Sequence, residues 1–318
     1  MTDIALKRAA KVAVMQCLGV QPSEQVLVIM DAPCVTIGRA LFEAAEEAGA
    51  DVQLVEILPR REHGTEPPPA IAAAMAASQV VFAPTSKSLT HTDARRAASE
   101  AGARIATLPG ITEDIMTRAL LADYEAIAER TMRVVKAMSG AKNVRVTTPA
   151  GTDISFSVQG RPVAADTGIL RTAGVTNLPA GEAYLAPVEG TGQGVIVIDG
   201  CIGASGVLPQ PIVITVKDGL AVALTGHPYA QVLEQNMDAA GPEARNLAEL
   251  GIGTNDAAQL VGKVLEDEKI LGTVHLAFGD NRSMGGTVRT PFHQDGILLR
   301  PTLWVDSLLL LENGSLKV

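Results

Sequence analysis

Residues 25–58 read QVLVIMDAPCVTIGRALFEAAEEAGADVQLVEIL, and this stretch decides the fold class. Gln25–Met30 is a short, unbroken apolar run rich in β-branched residues. Ile37–Ala48 is rich in Ala and Glu, as a helix would be, and Asp51–Leu58 is a second strand-like run. Apolar strands separated by helical stretches of that length predict βαβ units, with a parallel sheet buried on both faces. The same alternation continues outward. A helical segment at Ala70–Ala77 precedes Gln79–Ala83 (QVVFA), and another at Asp93–Ala101 precedes Ala103–Leu108 (ARIATL). An opening helix and a helical tract from about Asp114 to Met138 complete this half.

The pattern changes at Ser139-Gly-Ala-Lys-Asn. From there strand-like segments dominate, at Asn143–Thr148, Asp153–Gln159, Gly194–Asp199, Pro211–Val216, Leu220–Leu224, Thr273–Phe278 and Gly296–Leu299. Gly and Pro turns separate them, and one helical stretch, Tyr229–Ala240, interrupts them. The expected architecture is therefore an α/β, Rossmann-like N-terminal domain over residues 1–140 with a parallel sheet. A mainly antiparallel, β-rich α+β domain over residues 141–318 follows it.

Composition removes several function classes. Of the 318 residues, 47% are hydrophobic, which is ample for a large core and too many for a disordered chain. The net charge of −9 argues against a nucleic-acid partner held by a basic surface. Cys17, Cys34 and Cys201 are widely spaced, so neither a disulfide framework nor a thiolate zinc knuckle is expected. No apolar run approaches the roughly 18 residues of a spanning helix. The N-terminus mixes charges of both signs ahead of a helical pattern, unlike a signal peptide. A soluble cytoplasmic protein without a membrane partner is the expectation.

The first βα turn, Asp31-Ala-Pro-Cys-Val-Thr-Ile-Gly, lacks the glycines of a dinucleotide fingerprint. Gly190-Thr-Gly-Gln-Gly194 leads into a strand, so it offers no helix N-terminus to a phosphate. Cys34 follows the first strand and reads as a small buried hydrophobe. His91 follows another strand end, where it either lines a cleft or caps a helix.

The chemistry concentrates in the second half. In Val274-His-Leu-Ala-Phe278, strand alternation sets His275 on one face with Ala277 and Gly279, and Val274, Leu276 and Phe278 on the other. In Phe292-His-Gln-Asp295 an extended backbone projects His293 and Asp295 from one side. Imidazole with carboxylate is a ligand set for Zn²⁺, Mn²⁺, Co²⁺ or Fe²⁺. Glu182 opens an apolar strand-like run, and Glu249 is embedded in another, where a charge is costly unless paired or metal-bound.

Four segments in order, NLPAGEAYLAP (177–187), NLAELGIGTN (246–255), GTVHLAFGDN (272–281) and PFHQDG (291–296), resemble the thermophilic-type metallo-aminopeptidases, the aminopeptidase T or leucyl aminopeptidase group. That resemblance implies a pair of divalent metals bound by Glu182, Glu249, His275, His293 and Asp295. It also implies a homodimer. Those peptidases carry a Tyr seven residues after the strand histidine. Arg282 stands there in this chain, a candidate for holding a substrate carboxylate or a developing oxyanion. The same fold family also resembles the iron-dependent dihydroxypyridine ring-cleaving dioxygenases.

Three functional expectations follow. The first is a metallo-aminopeptidase or related amidohydrolase acting on small peptides. There, two ions (Zn, Co or Mn) roughly 3.5–4 Å apart would share a hydroxide. The second is a mononuclear Fe(II) ring-cleaving dioxygenase, for which His275, His293 and Asp295 satisfy the two-His-one-carboxylate count. Glu182 and Glu249 count against it as surplus anionic groups. The third is a small-molecule binding protein without turnover, its His293–Asp295 pair a salt bridge.

Overall fold

The computed structural model describes residues 4–318, in two units. The first runs to Ala128 and takes in Asp166–Ala180; the second comprises Glu129–Ala165 and Gly181–Val318. The boundary expected at residue 140 thus lies earlier, and 15 residues beyond it return to the first unit.

The first unit holds a five-stranded sheet in the order 51–57, 25–31, 80–83, 104–107, 174–177, every pairing parallel. Strand Gln25–Asp31 is buried at every position after the first, as the continuous apolar run requires. Helices Val35–Glu47, Pro69–Ala77, Asp93–Glu100 and Glu113–Ala119 lie between or after the strands. Leu27, Ile29, Val81 and Ile105 lie in one core cluster. Gly174–Asn177 was not anticipated as a strand, since four residues without apolar alternation carry no periodic signal. Cys34 is buried, and burial together with Asp31 pushes its thiol up to about 12, so it packs without reacting. His91 is exposed.

The second unit contains two sheets. An eight-stranded antiparallel sheet runs in the order 220–226, 212–217, 193–198, 153–157, 143–147, 302–305, 308–312, 315–316. A five-stranded sheet runs His293–Leu298, Val274–Gly279, Leu247–Gly253, Glu182–Leu185, Ala164–Asp166. One apolar cluster joins them, with Ile196, Ile198 and Ile214 from the first sheet and Leu185, Leu250 and Leu276 from the second. Sheets that share a core this way must alternate core-facing and outward residues along each strand. The α/β domain followed by a largely antiparallel β-rich domain is the architecture expected. No helix among the described residues is long and apolar enough to cross a membrane.

Candidate metal centre

The five-stranded sheet builds the site by register. On the strand Val274–Gly279, Val274, Leu276 and Phe278 enter the core cluster, and His275 therefore points to the opposite face. Leu250 and Ile252 do the same on the neighbouring strand, as do Ala183 and Leu185 beyond it. Gly253 pairs with Glu182, Gly251 with His275, Ala277 with both Glu249 and Asp295, and Gly279 with His293. Glu182, Glu249, His275, His293 and Asp295 thus come together on one face of four adjacent strands.

A bulge between Leu247 and Glu249 shifts the register, aiming Glu249 between the two imidazoles. Its Oε1 lies 3.4 Å from His275 Nε2 and its Oε2 3.1 Å from His293 Nε2. His275 Nε2 is 3.3 Å from Glu182 Oε2, and His293 Nε2 is 3.5 Å from Asp295 Oδ1. Gly251 makes the room: a Cβ there would sit 1.9 Å from His275 Nε2.

Two features suit a metal ion. His293 Nδ1 donates to the Asp280 carbonyl at 2.8 Å, which fixes the tautomer and turns the Nε2 lone pair to the site. His275 is fully buried; its Nδ1 has no hydrogen-bond partner, and its Nε2 faces the carboxylates of Glu182 and Glu249. The donors form two triads, Glu182–Glu268–His275 and Glu249–His293–Asp295. Within each triad the donor atoms lie within 4.8 Å of one another.

Glu268 and Lys269 were missed in the sequence. They belong to Glu266-Asp267-Glu268-Lys269, a charge run that reads as a solvated face. Instead Glu266, Asp267 and Lys269 are buried at 0%, 0% and 1% exposure. Glu266 accepts the Gln259 N–H, and Asp267 accepts those of Val261 and Gly262, so this pair pins the preceding loop. Lys269 Nζ lies 2.5 Å from Glu182 Oε1 and 2.7 Å from Glu268 Oε1. Arg282 stands exposed on the 3-10 turn Arg282–Met284, its backbone N–H donating to Asp280.

Electrostatics follow from the crowding. Burial works against the charged form of His275, but Glu249, Glu182 and Asp295 outweigh it and raise its pKa to about 9. Burial likewise opposes charge on His293, and Asp295 and Glu249 hold its pKa well above the ordinary value. Burial alone would raise the Glu249 carboxyl, yet the two histidines bring it well below the carboxylate range. Glu268 is pushed up to about 8, first by burial and then by Glu182 and Asp295, against the pull of Lys269. In the metal-free chain both histidines therefore carry protons at neutral pH, and an incoming cation must expel them. Divalent-ion affinity is expected to rise steeply from about pH 6 to 8. Calorimetry in buffers of differing ionisation enthalpy should register the released protons. Affinity indifferent to pH over that range would mean that the histidines are not ligands.

A family model described as 2,5-dihydroxypyridine 5,6-dioxygenase matches residues 8–318. Among solved structures, 2,5-dihydroxypyridine dioxygenase from Pseudomonas putida KT2440 superposes with a TM-score of 0.84 at 19% identity, covering 98% of this chain and 96% of that one. Wild-type AmpT from Thermus thermophilus superposes with a TM-score of 0.75 at 18% identity, covering 99% of each chain. No curated protein matches. The family match overturns the expectation of a hydrolase, an aminopeptidase or any other protease. The reason for that error is physical. The motifs behind it encode the strands and their carboxylate–imidazole face, and the peptidase and dioxygenase structures both resemble this fold.

Proposed function

The chain belongs to the 2,5-dihydroxypyridine 5,6-dioxygenase family, and from that premise we propose that it is an Fe(II)-dependent enzyme that opens the ring of a dihydroxylated pyridine or a close aromatic analogue with O₂. The observation that carries this reading is the family match, which extends over residues 8–318 and so includes every residue of the cluster. The donor set fits the ion. His275, His293 and Asp295 supply two imidazoles and a carboxylate, the set that leaves coordination positions open for substrate and oxygen. Iron(II), when bound, supplies redox chemistry that no side chain has.

The chain's own residues do the rest. His293, anchored through Nδ1 to the Asp280 carbonyl, presents Nε2 in a fixed direction. Gly251 leaves space for the His275 ring, and Glu249 braces both imidazoles. The two imidazoles hold Glu249 ionised, so its carboxylate stays between them as a fixed negative charge that orients both rings. The small fraction of Glu249 that is exposed, 7%, keeps water scarce around it.

The reading is tested by reconstituting the metal-free chain anaerobically with Fe(II) or with Zn(II), then mixing it with 2,5-dihydroxypyridine in air. Loss of the ring's near-ultraviolet absorbance is expected with iron and not with zinc. Equal rates with the two metals, or none with either, would rule the proposal out.

A further inference from the structure

We propose that the Lys269 ammonium is the second cation of this centre and restricts it to a single metal ion; the inference rests on the iron-centre reading above. The sheet face and the Glu268 turn carry two donor triads, Glu182–Glu268–His275 and Glu249–His293–Asp295; with His275 given to the iron, Glu182 and Glu268 are left for a second ion. The first triad already holds a positive charge. Lys269 Nζ sits 2.5 Å from Glu182 Oε1 and 2.7 Å from Glu268 Oε1, distances at which the ammonium fills the space between the carboxylates.

The lysine is built in. It is 1% exposed, its N–H donates to the Glu266 carbonyl, and its own carbonyl accepts the Asn255 N–H. Gly253, opposite Glu182, lets this segment lie against the sheet, since a Cβ there would come within 2.0 Å of the Ile270 carbonyl oxygen and 2.8 Å of the Lys269 carbonyl carbon. The backbone that carries the lysine is therefore fixed against the sheet. A divalent ion bound by Glu182 and Glu268 would sit on the same two carboxylates as the ammonium, at a separation where like charges repel strongly in a dry site.

Glu182, which looked like a surplus ligand for a mononuclear centre, is thereby accounted for: its partner is a lysine. A lysine cannot activate water as a second metal can, so the chemistry is confined to the one ion that keeps open positions.

The test titrates metal-free protein anaerobically with Co(II), counting bound metal after dialysis and following the spin coupling that two adjacent Co(II) ions would show. Wild type is expected to saturate at one equivalent even in about tenfold excess. Lys269→Met should take two, with coupled spins, and Lys269→Arg, which keeps a cation, should take one. Should metal-free Lys269→Met fail to fold, Co(II) is expected to restore it, with an unfolding temperature that keeps rising to the second equivalent. One equivalent in both wild type and Lys269→Met overturns this proposal and leaves the iron centre standing, as does a Met variant that no concentration of Co(II) can fold. Two equivalents in wild type also overturn it. A wild type that binds none defeats the iron reading itself.

Discussion

His275→Ala is expected to leave the purified chain essentially without iron and to lower ring cleavage by about 10³-fold or more, several kcal/mol of lost catalytic stabilisation. The side chain is fully buried, and its nearest charged atoms are Glu182 Oε2 and Glu249 Oε1. Its polar contacts are confined to these two site carboxylates, and its Nδ1 has no partner. The opposite face of the same strand carries Val274, Leu276 and Phe278 into the core, and the substitution leaves them in place. The variant should therefore unfold cooperatively, with its secondary structure intact and only its metal missing. Metal analysis beside circular dichroism separates the two effects. A folded His275→Ala chain that retained a full equivalent of iron would remove His275 from the ligand set.

Gly251→Ala should do nearly as much damage with a single methyl group. The added Cβ would lie 1.9 Å from His275 Nε2 and 2.1 Å from Cε1, far inside contact distance. Either the strands separate or the imidazole turns away, and the ring is the softer element. Overpacking of this kind costs about 1–3 kcal/mol in stability. The displaced Nε2 costs much more in function, because a shift of about 1 Å at a ligand is enough to lose a metal site. Iron affinity is expected to fall by at least the roughly 10–100-fold seen when groups supporting a ligand are removed. Equilibrium dialysis against an iron buffer gives the number, and affinity equal to wild type would show that the ring points elsewhere.

Much of this site was legible because strand alternation is a strong rule. His275 opposite Val274, Leu276 and Phe278 follows from period two alone, as does the pairing of His293 with Asp295 on one side of their strand. The parallel sheet was legible from continuous apolar runs separated by helical spacing. Gly174–Asn177 was not, because nothing local marks a four-residue strand that pairs with Arg104–Thr107 across some seventy residues. Glu268 and Lys269 were hidden for a different reason. A run of four charges is ordinarily solvated, and its burial here depends on partners outside the run: Glu182, far away in sequence, for the lysine, and the loop 259–262 just before it for the two acids. The bulge that aims Glu249 is equally invisible in one sequence. The choice between hydrolysis and oxygenation was misread because ligand types alone carried it, and one ligand array serves more than one reaction.

On the proposed reading, this chain cleaves an aromatic ring with dioxygen at an iron centre. That reading is tested most directly by supplying the iron-loaded protein with 2,5-dihydroxypyridine under ¹⁸O₂, with an oxygen electrode recording uptake and mass spectrometry reading the product. One O₂ consumed per ring opened, both labelled atoms in the product, and no turnover under argon are expected. Turnover that continues under argon, or a product whose new oxygen comes from water, would contradict the reading.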